Sequence, residues 1–202
     1  IMMGFAHGGS ALDPQITPLV PVLKSYWLII HVAIITASYG FFGLSFVIAI
    51  ICLIFYILAS KKLYKQHNDR TIKELTIVSE MSLTIGLYAL TVGTFLGGIW
   101  ANESWGRYWS WDPKETWAFV SVMVYAFVLH MRLVPGLRGR WAFHVAAMVA
   151  ISTIIMTYFG VNYYLSGLHS YAAGDPIPVP IWVYLGAAGM LILALASYLK
   201  YR

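Results

Sequence analysis

His31, in the apolar run WLIIHVAII, and His169, in SGLHSY, stand far apart in the chain, and between them lies WGRYWSWDPKETW, residues 105–117. That stretch holds four of the eight tryptophans, together with Arg107, Asp112, Lys114 and Glu115. Neutral imidazole is a good axial ligand for porphyrin iron. Large aromatic rings offer contact area to a flat apolar macrocycle, with about 0.5–1.5 kcal/mol per ring pair beyond area burial. These residue types point to haem binding, with Arg107 and Lys114 as the cations available to its propionates; the sequence does not choose between them. Each feature also has a plainer reading. A single histidine near a membrane interface is commonly structural, and tryptophans gather in interfacial belts. DPKE reads as a helix start, with Asp112 as cap, Pro113 at the first helical position and Glu115 closing a capping box. A belt, however, spreads over both faces, whereas Trp100, Trp105, Trp109, Trp111 and Trp117 crowd one connection.

The elements that must position these residues are membrane spans. Of 202 residues, 60% are hydrophobic and 10% charged, against about 25% charged in soluble domains, and the mean hydropathy is +0.74. An all-α polytopic membrane protein is expected, and the net charge of +5 reads as topology instead of a nucleic-acid patch. About 20 apolar residues cross a hydrocarbon core, which predicts five spans at 25–59, 75–100, 116–133, 141–163 and 181–199. Segments 1–24, 101–115 and 164–180 connect on one side; 60–74, 134–140 and the tail 200–202 lie on the other. With Arg132 at the end of its span, the latter side carries ten Lys/Arg and the former only Lys24, Arg107 and Lys114, so the tryptophan loop is expected outside and the C-terminus in the cytoplasm. The first span is too long for the core. His31 stands about 12 Å beyond the expected core boundary near Tyr39, at the outer surface with His169. Cys52 is the only cysteine, which excludes an internal disulfide, a CxxC pair and a covalent haem attachment motif. No basic stretch precedes an apolar one at the start, so no signal peptide is expected.

WGRYWSWDPKETWAF resembles the tryptophan-rich WWD signature of the haem-handling proteins of cytochrome c biogenesis, and most closely its CcsA (ResC) type. LVPVLKSYWLIIHV before the first span and GLHSY after the fourth extend the resemblance over most of the chain. It implies that His31 and His169 ligate haem iron externally, and that Trp105, Trp109, Trp111 and Asp112 cradle the haem. It implies that His130, in YAFVLHMR, takes up haem within the membrane from the cytoplasmic side. Exported haem b would then be held for joining to an apocytochrome c CxxCH motif, making the chain a holocytochrome c synthase (haem lyase) component. The implied partners are a CcsB-type subunit, or the upstream portion of a fused chain, with apocytochrome c and a thiol-reducing partner. The implied setting is a bacterial inner membrane or a thylakoid membrane. Members of the type carry further spans before the SYW…HV helix, so the chain is expected to be the C-terminal portion of a split or fused synthase.

Geometry bears on His130 independently. About 14 residues from the start of its span put it about 21 Å inward, too far to share iron with His31 and His169. Ionisable residues inside spans are functional candidates; the plain alternative is a hydrogen bond to a neighbour, for which Glu80 lies at similar depth. His144 reads as packing or interfacial, His67 as part of a solvated basic hairpin and His7 as part of an irregular terminus. The glycines of GTFLGGIW and YLGAAGM read as aids to close helix packing. No acid–base pair stands out as catalytic. Two other classes compete: a bis-histidine b-type membrane cytochrome carrying electrons, and a haem or small-molecule transporter without synthase chemistry.

Overall fold

A computed structural model describes residues 25–58, 62–169 and 178–201, with side chains described from residue 68 in the second segment. The segment 1–24 with His7, the side chain of His67, residues 170–177 and Arg202 lie outside the described residues. The described chain is helical: α1 Tyr26–Leu58, α2 Lys62–Trp105, α3 Pro113–His130, α4 Arg140–Ile155, α5 Val161–Tyr164 and α6 Ile181–Tyr201. A 3₁₀ turn, Met131–Leu133, follows α3, and a π-turn, Met156–Gly160, joins α4 to α5. Five segments are long and apolar enough to cross a membrane, α4 and α5 forming one of them. The molecule is an all-α, multi-pass membrane protein.

Two boundaries depart from the sequence expectation. The 44-residue α2 begins at Lys62, so residues 62–74, expected as a hairpin, are helical. At 1.5 Å per residue α2 is about 66 Å long, more than twice a hydrocarbon core, so its charged N-terminal turns must project beyond the bilayer. At its other end α2 runs on through Trp105, which leaves 106–112, instead of 101–115, as the connection to α3.

The core is sealed by shape, since in lipid the hydrophobic effect gives helices no reason to associate and close packing takes over. Phe42 of α1 and Tyr125 of α3, both 0% exposed, stack with ring centroids 3.8 Å apart and 11° between planes. Small polar residues knit α1 to α2: Ser45 Oγ and Ser79 Oγ share a hydrogen bond of 2.7 Å, and Ser82 Oγ donates to the Phe41 carbonyl. His144 is fully buried as expected of a packing residue, with Nε2 2.9 Å from Thr76 Oγ1. The helix α6 is held mainly at one end, where Trp141 Nε1 donates to Ser197 Oγ at 2.9 Å and Tyr201 packs against Tyr56 and Trp141. Its Gly186 and Gly189 face open space within this chain, so here the close-packing expectation is not met.

The N-terminus of α1, the C-terminus of α2, the start of α3 and the end of α5 meet at one end of the bundle. Ser25 Oγ donating to Glu103 Oε2 at 2.6 Å, and Lys114 Nζ donating to Asn162 Oδ1 at 3.2 Å, are two of the ties. The opposite end gathers Arg140 with Asp69 (3.0 Å) and Arg132 with Glu80 (3.7 Å). Replacing Phe42 by Ala opens a void under Tyr125 that the packed helices cannot close. The expected cost is about 3 kcal/mol, read as a lower thermal midpoint in detergent; an unchanged midpoint would show the stack to be dispensable.

Candidate functional site

The connection 106–112 owes its shape to its last residues. Asp112 caps α3, its side chain accepting from Lys114 N at 3.2 Å, while Glu115 Oε2 reaches back to Asp112 N at 3.3 Å. The same Glu115 oxygen takes Ser110 N at 2.8 Å and Ser110 Oγ at 3.2 Å. With Pro113 at the first helical position this is the capping box that the DPKE pattern predicts. Gly106 at φ 72° opens the turn and Trp111 at φ 58° closes it. A bulky residue in the left-handed region is uncommon and costs about 1–2 kcal/mol, which the cap, and Thr116 Oγ1 donating to the Trp111 carbonyl, must offset.

Asp112 does more than cap. Its carboxylate, 3% exposed, accepts from His169 Nδ1 at 2.9 Å and from the Leu168 amide. Two distant loops are thereby joined by one side chain. The approach requires Gly167: a Cβ there would meet the Asp112 carboxylate and stand 2.8 Å from Pro113 Cδ. A carboxylate can only accept, so Nδ1 of His169 is the donor in this bond, which leaves Nε2 as the ring nitrogen free for a ligand. His31 is fixed in the same tautomer by different means. Its Nδ1 lies 2.7 Å from the Trp27 carbonyl one turn earlier, which again leaves Nε2 free.

One indole links the two imidazoles. Trp100, 1% exposed, stacks on His31 at 5.4 Å and 29° and meets His169 at 5.6 Å and 51°. Trp105 packs edge-on to both Trp100 (4.7 Å) and His169 (5.0 Å). Gly97, one turn before Trp100, lets α2 lie against the His31 ring: a Cβ there would be 3.3 Å from Cδ2. Beside this cluster opens a cavity of about 200 Å³, whose lining includes His31, His169, Trp100, Trp109, Lys114 and Tyr158. Along α1 the lining extends from Leu28 to Tyr39, about 16 Å of helix. The π-turn sets Thr157 and Tyr158 in the wall, and Tyr158 meets Tyr39 edge to face at 6.4 Å.

The expected site residues thus separate into groups. His31, His169 and Trp109 line the cavity; Trp105 and Asp112 stand behind His169. Trp111 is 69% exposed and, among the described residues, its ring meets the site through Trp109, at 5.7 Å. Arg107 is exposed and outside the lining, whereas Lys114 is within it. His130 ends α3 about 24 Å from Lys114 by helix rise; its Nδ1 bonds the Ala126 carbonyl at 2.7 Å. Glu80, the neighbour expected for His130, pairs with Arg132 instead. The residues alone do not mark Trp100 as a site residue, nor Gly167, Asn162 and Tyr158 at all; Tyr39 enters only as a core boundary, and Gly97 as an aid to helix packing, the role it has against His31. Trp100, one of the crowded tryptophans, had a signal. A lone glycine's neighbour across the fold has none.

Fold and cavity together define a helical membrane protein that gathers two histidines and several indoles at one end of its bundle. Residues 1–169 match the family model described as Cytochrome C assembly protein, and the chain belongs to that family. It is 51% identical over 189 residues to Protein NrfI of Wolinella succinogenes, covering 94% of this chain and 21% of that protein. It is 41% identical to the cytochrome c biogenesis protein CcsA of Chlamydomonas reinhardtii (78% of this chain, 44% of that protein). To CcsA of Mesostigma viride it is 36% identical (85% and 63%). The chain spans about a fifth to under two thirds of these relatives' lengths, and within its family it is similar to proteins of the CcsA type.

Gly167→Ala should push the 165–169 segment off Asp112. The expected outcome is faster hydrogen exchange of the Leu168 amide by about tenfold, the equivalent of one lost charge-assisted bond; protection equal to the parent would refute the loop-to-cap tie.

Proposed function

We propose that the chain holds haem at the tryptophan-rich end of the bundle, ligated by Nε2 of His31 and His169, and presents it for covalent attachment to the CxxCH cysteines of an apocytochrome c. One observation carries the reading: two imidazoles from distant elements, each with Nδ1 committed to an acceptor, keep Nε2 available beside one aromatic cavity. The family description and the relatives' printed role in cytochrome c biogenesis support it. So does the donor chemistry, since neutral imidazole nitrogens suit porphyrin iron and indoles suit its faces.

Haem supplies the vinyl groups across which the thiol S–H bonds add, without net oxidation. Everything else falls to the chain. His31 and His169 hold the iron on both sides, which limits access of oxygen. Asp112 fixes the tautomer and aim of His169, the usual work of a carboxylate behind a ligating histidine. Trp100 sets the spacing of the two rings, and a macrocycle fixed in place gives the incoming cysteines an effective concentration far above that in solution. His130, at the opposite end with Nδ1 committed and its ring exposed, receives haem on its way across. In this reading the haem end faces outside and His130 the cytoplasm, an orientation that the distribution of Lys and Arg supports, in a bacterial inner or thylakoid membrane. A CcsB-type subunit or the upstream portion of a longer polypeptide completes the machine, with a thiol reductant keeping the CxxCH cysteines ready.

The test is His31→Ala with His169→Ala in the membrane-extracted protein. The reduced bis-imidazole absorption bands should vanish and cytochrome c maturation should fail. Bands that persist would sink the ligand assignment, and intact maturation would sink the synthase role; loss of electron transfer alone would point to a b-type cytochrome. Asp112→Asn keeps a good helix cap but removes the charge behind His169. Haem retention should drop about tenfold and the reduction potential of the bound haem should rise; an unmoved potential would mean that Asp112 acts only as a cap.

A further inference from the structure

The described lining of the cavity holds one Lys or Arg side chain, Lys114, and one carboxylate, Glu115. The ammonium is half-buried, donates to the neutral Asn162 Oδ1 at 3.2 Å, and among the described residues forms no ion pair. The Asp112 carboxylate acts on it electrostatically without an ion-pair contact, and a half-buried cation gains from a closer counter-charge. Trp109 lines the same cavity, and its indole Nε1–H is buried with no acceptor among the described residues. Buried donors in folded proteins are nearly always paired, so an orphan in a binding cavity calls for an explanation.

The carboxylates nearby do not meet these needs. Glu115 Oε2 is shared among Ser110 N, Ser110 Oγ and Asp112 N. Asp112 accepts from Lys114 N, His169 and the Leu168 amide. Neither forms an ion pair with Lys114, so the ammonium and the Trp109 N–H are two donors without a charged acceptor, a pair that matches an incoming carboxylate.

We propose that Lys114 and Trp109 form a carboxylate subsite that takes a propionate of the haem, and so sets which edge of the macrocycle enters the cavity. This rests on the haem-ligating reading above and adds to it an orientation. Anchoring the propionate edge at α3 fixes the rotational position of the vinyl edge about the axis through the iron. The two cysteines can then meet their vinyl carbons only if that position is unique. Asn162, at the end of α5, holds the ammonium in place until the carboxylate arrives. Arg107 has no part in it.

The experiment compares haem with haem dimethyl ester, which keeps the iron and macrocycle but lacks both negative charges. Each is titrated under reducing conditions into the full chain, purified from the membrane with whatever subunits accompany it, and bis-imidazole absorption is read. The parent should bind haem at least about tenfold more tightly than the ester, as expected of one charge-assisted contact. Lys114→Met should bring the two affinities together while its ester affinity stays at the parent value, which also reports that the variant is folded. Lys114→Arg should keep much of the preference, Trp109→Phe should narrow it, and Arg107→Gln should leave it unchanged. A parent that shows the bis-imidazole bands but no preference overturns the subsite alone, as does a preference lost in Arg107→Gln and kept in Lys114→Met. A parent showing no such bands with either ligand overturns the haem reading itself, and the subsite with it.

Discussion

The Asp112 carboxylate is the point on which the upper end of the bundle turns. It is one acidic group asked to satisfy three donors: the first-turn amide of α3, the Leu168 amide and the His169 imidazole. A helix start offers unpaired N–H groups and a partial positive charge, so a carboxylate there is already oriented before His169 arrives. Burial then raises what the contact is worth and what its loss would cost, because the low-dielectric surroundings strengthen each bond and penalise any left unmade. The 106–112 connection, the 165–169 segment and the His169 ring all take their positions from this group.

The second constraint is steric. Trp100 touches both imidazoles, which are carried by segments far apart in the chain, and glycine at position 97 lets the helix carrying that indole come close to His31. The π-turn at Met156–Gly160 contributes from the other side, setting Thr157 and Tyr158 in the cavity wall. Such turns are rare and concentrate at functional sites. The result is a cavity bounded by rigid helices, which suits a ligand that must be held in a single pose.

Under the proposed reading the two histidines are not equivalent. His169 leans on a charged acceptor from a connecting segment, whereas His31 leans on a carbonyl of its own helix. The first arrangement couples a ligand's strength to the integrity of a helix cap; the second makes it a property of α1 alone. His130 shares the carbonyl arrangement at the far end of the bundle.

Much of this was legible in the residues themselves. Apolar runs longer than a bilayer core dictate spanning helices because backbone polar groups cannot go unpaired in hydrocarbon, and D-P-K-E dictates a capped start because each of those side chains acts within four residues of itself. Short-range rules also placed His31 and the tryptophans at one end of the bundle. They set the helix limits less well: residues 62–74 and 101–105 are polar enough to read as loops, yet they continue α2, since a helix propagates cheaply once nucleated. The sequence could not say that Asp112 serves His169, that Lys114 rather than Arg107 faces the cavity, or that Trp100 joins the two imidazoles. Each of those depends on where two helices or loops come to rest against one another, and that is decided by long-range packing, in which a missing methyl at Gly97 or Gly167 matters as much as any charge.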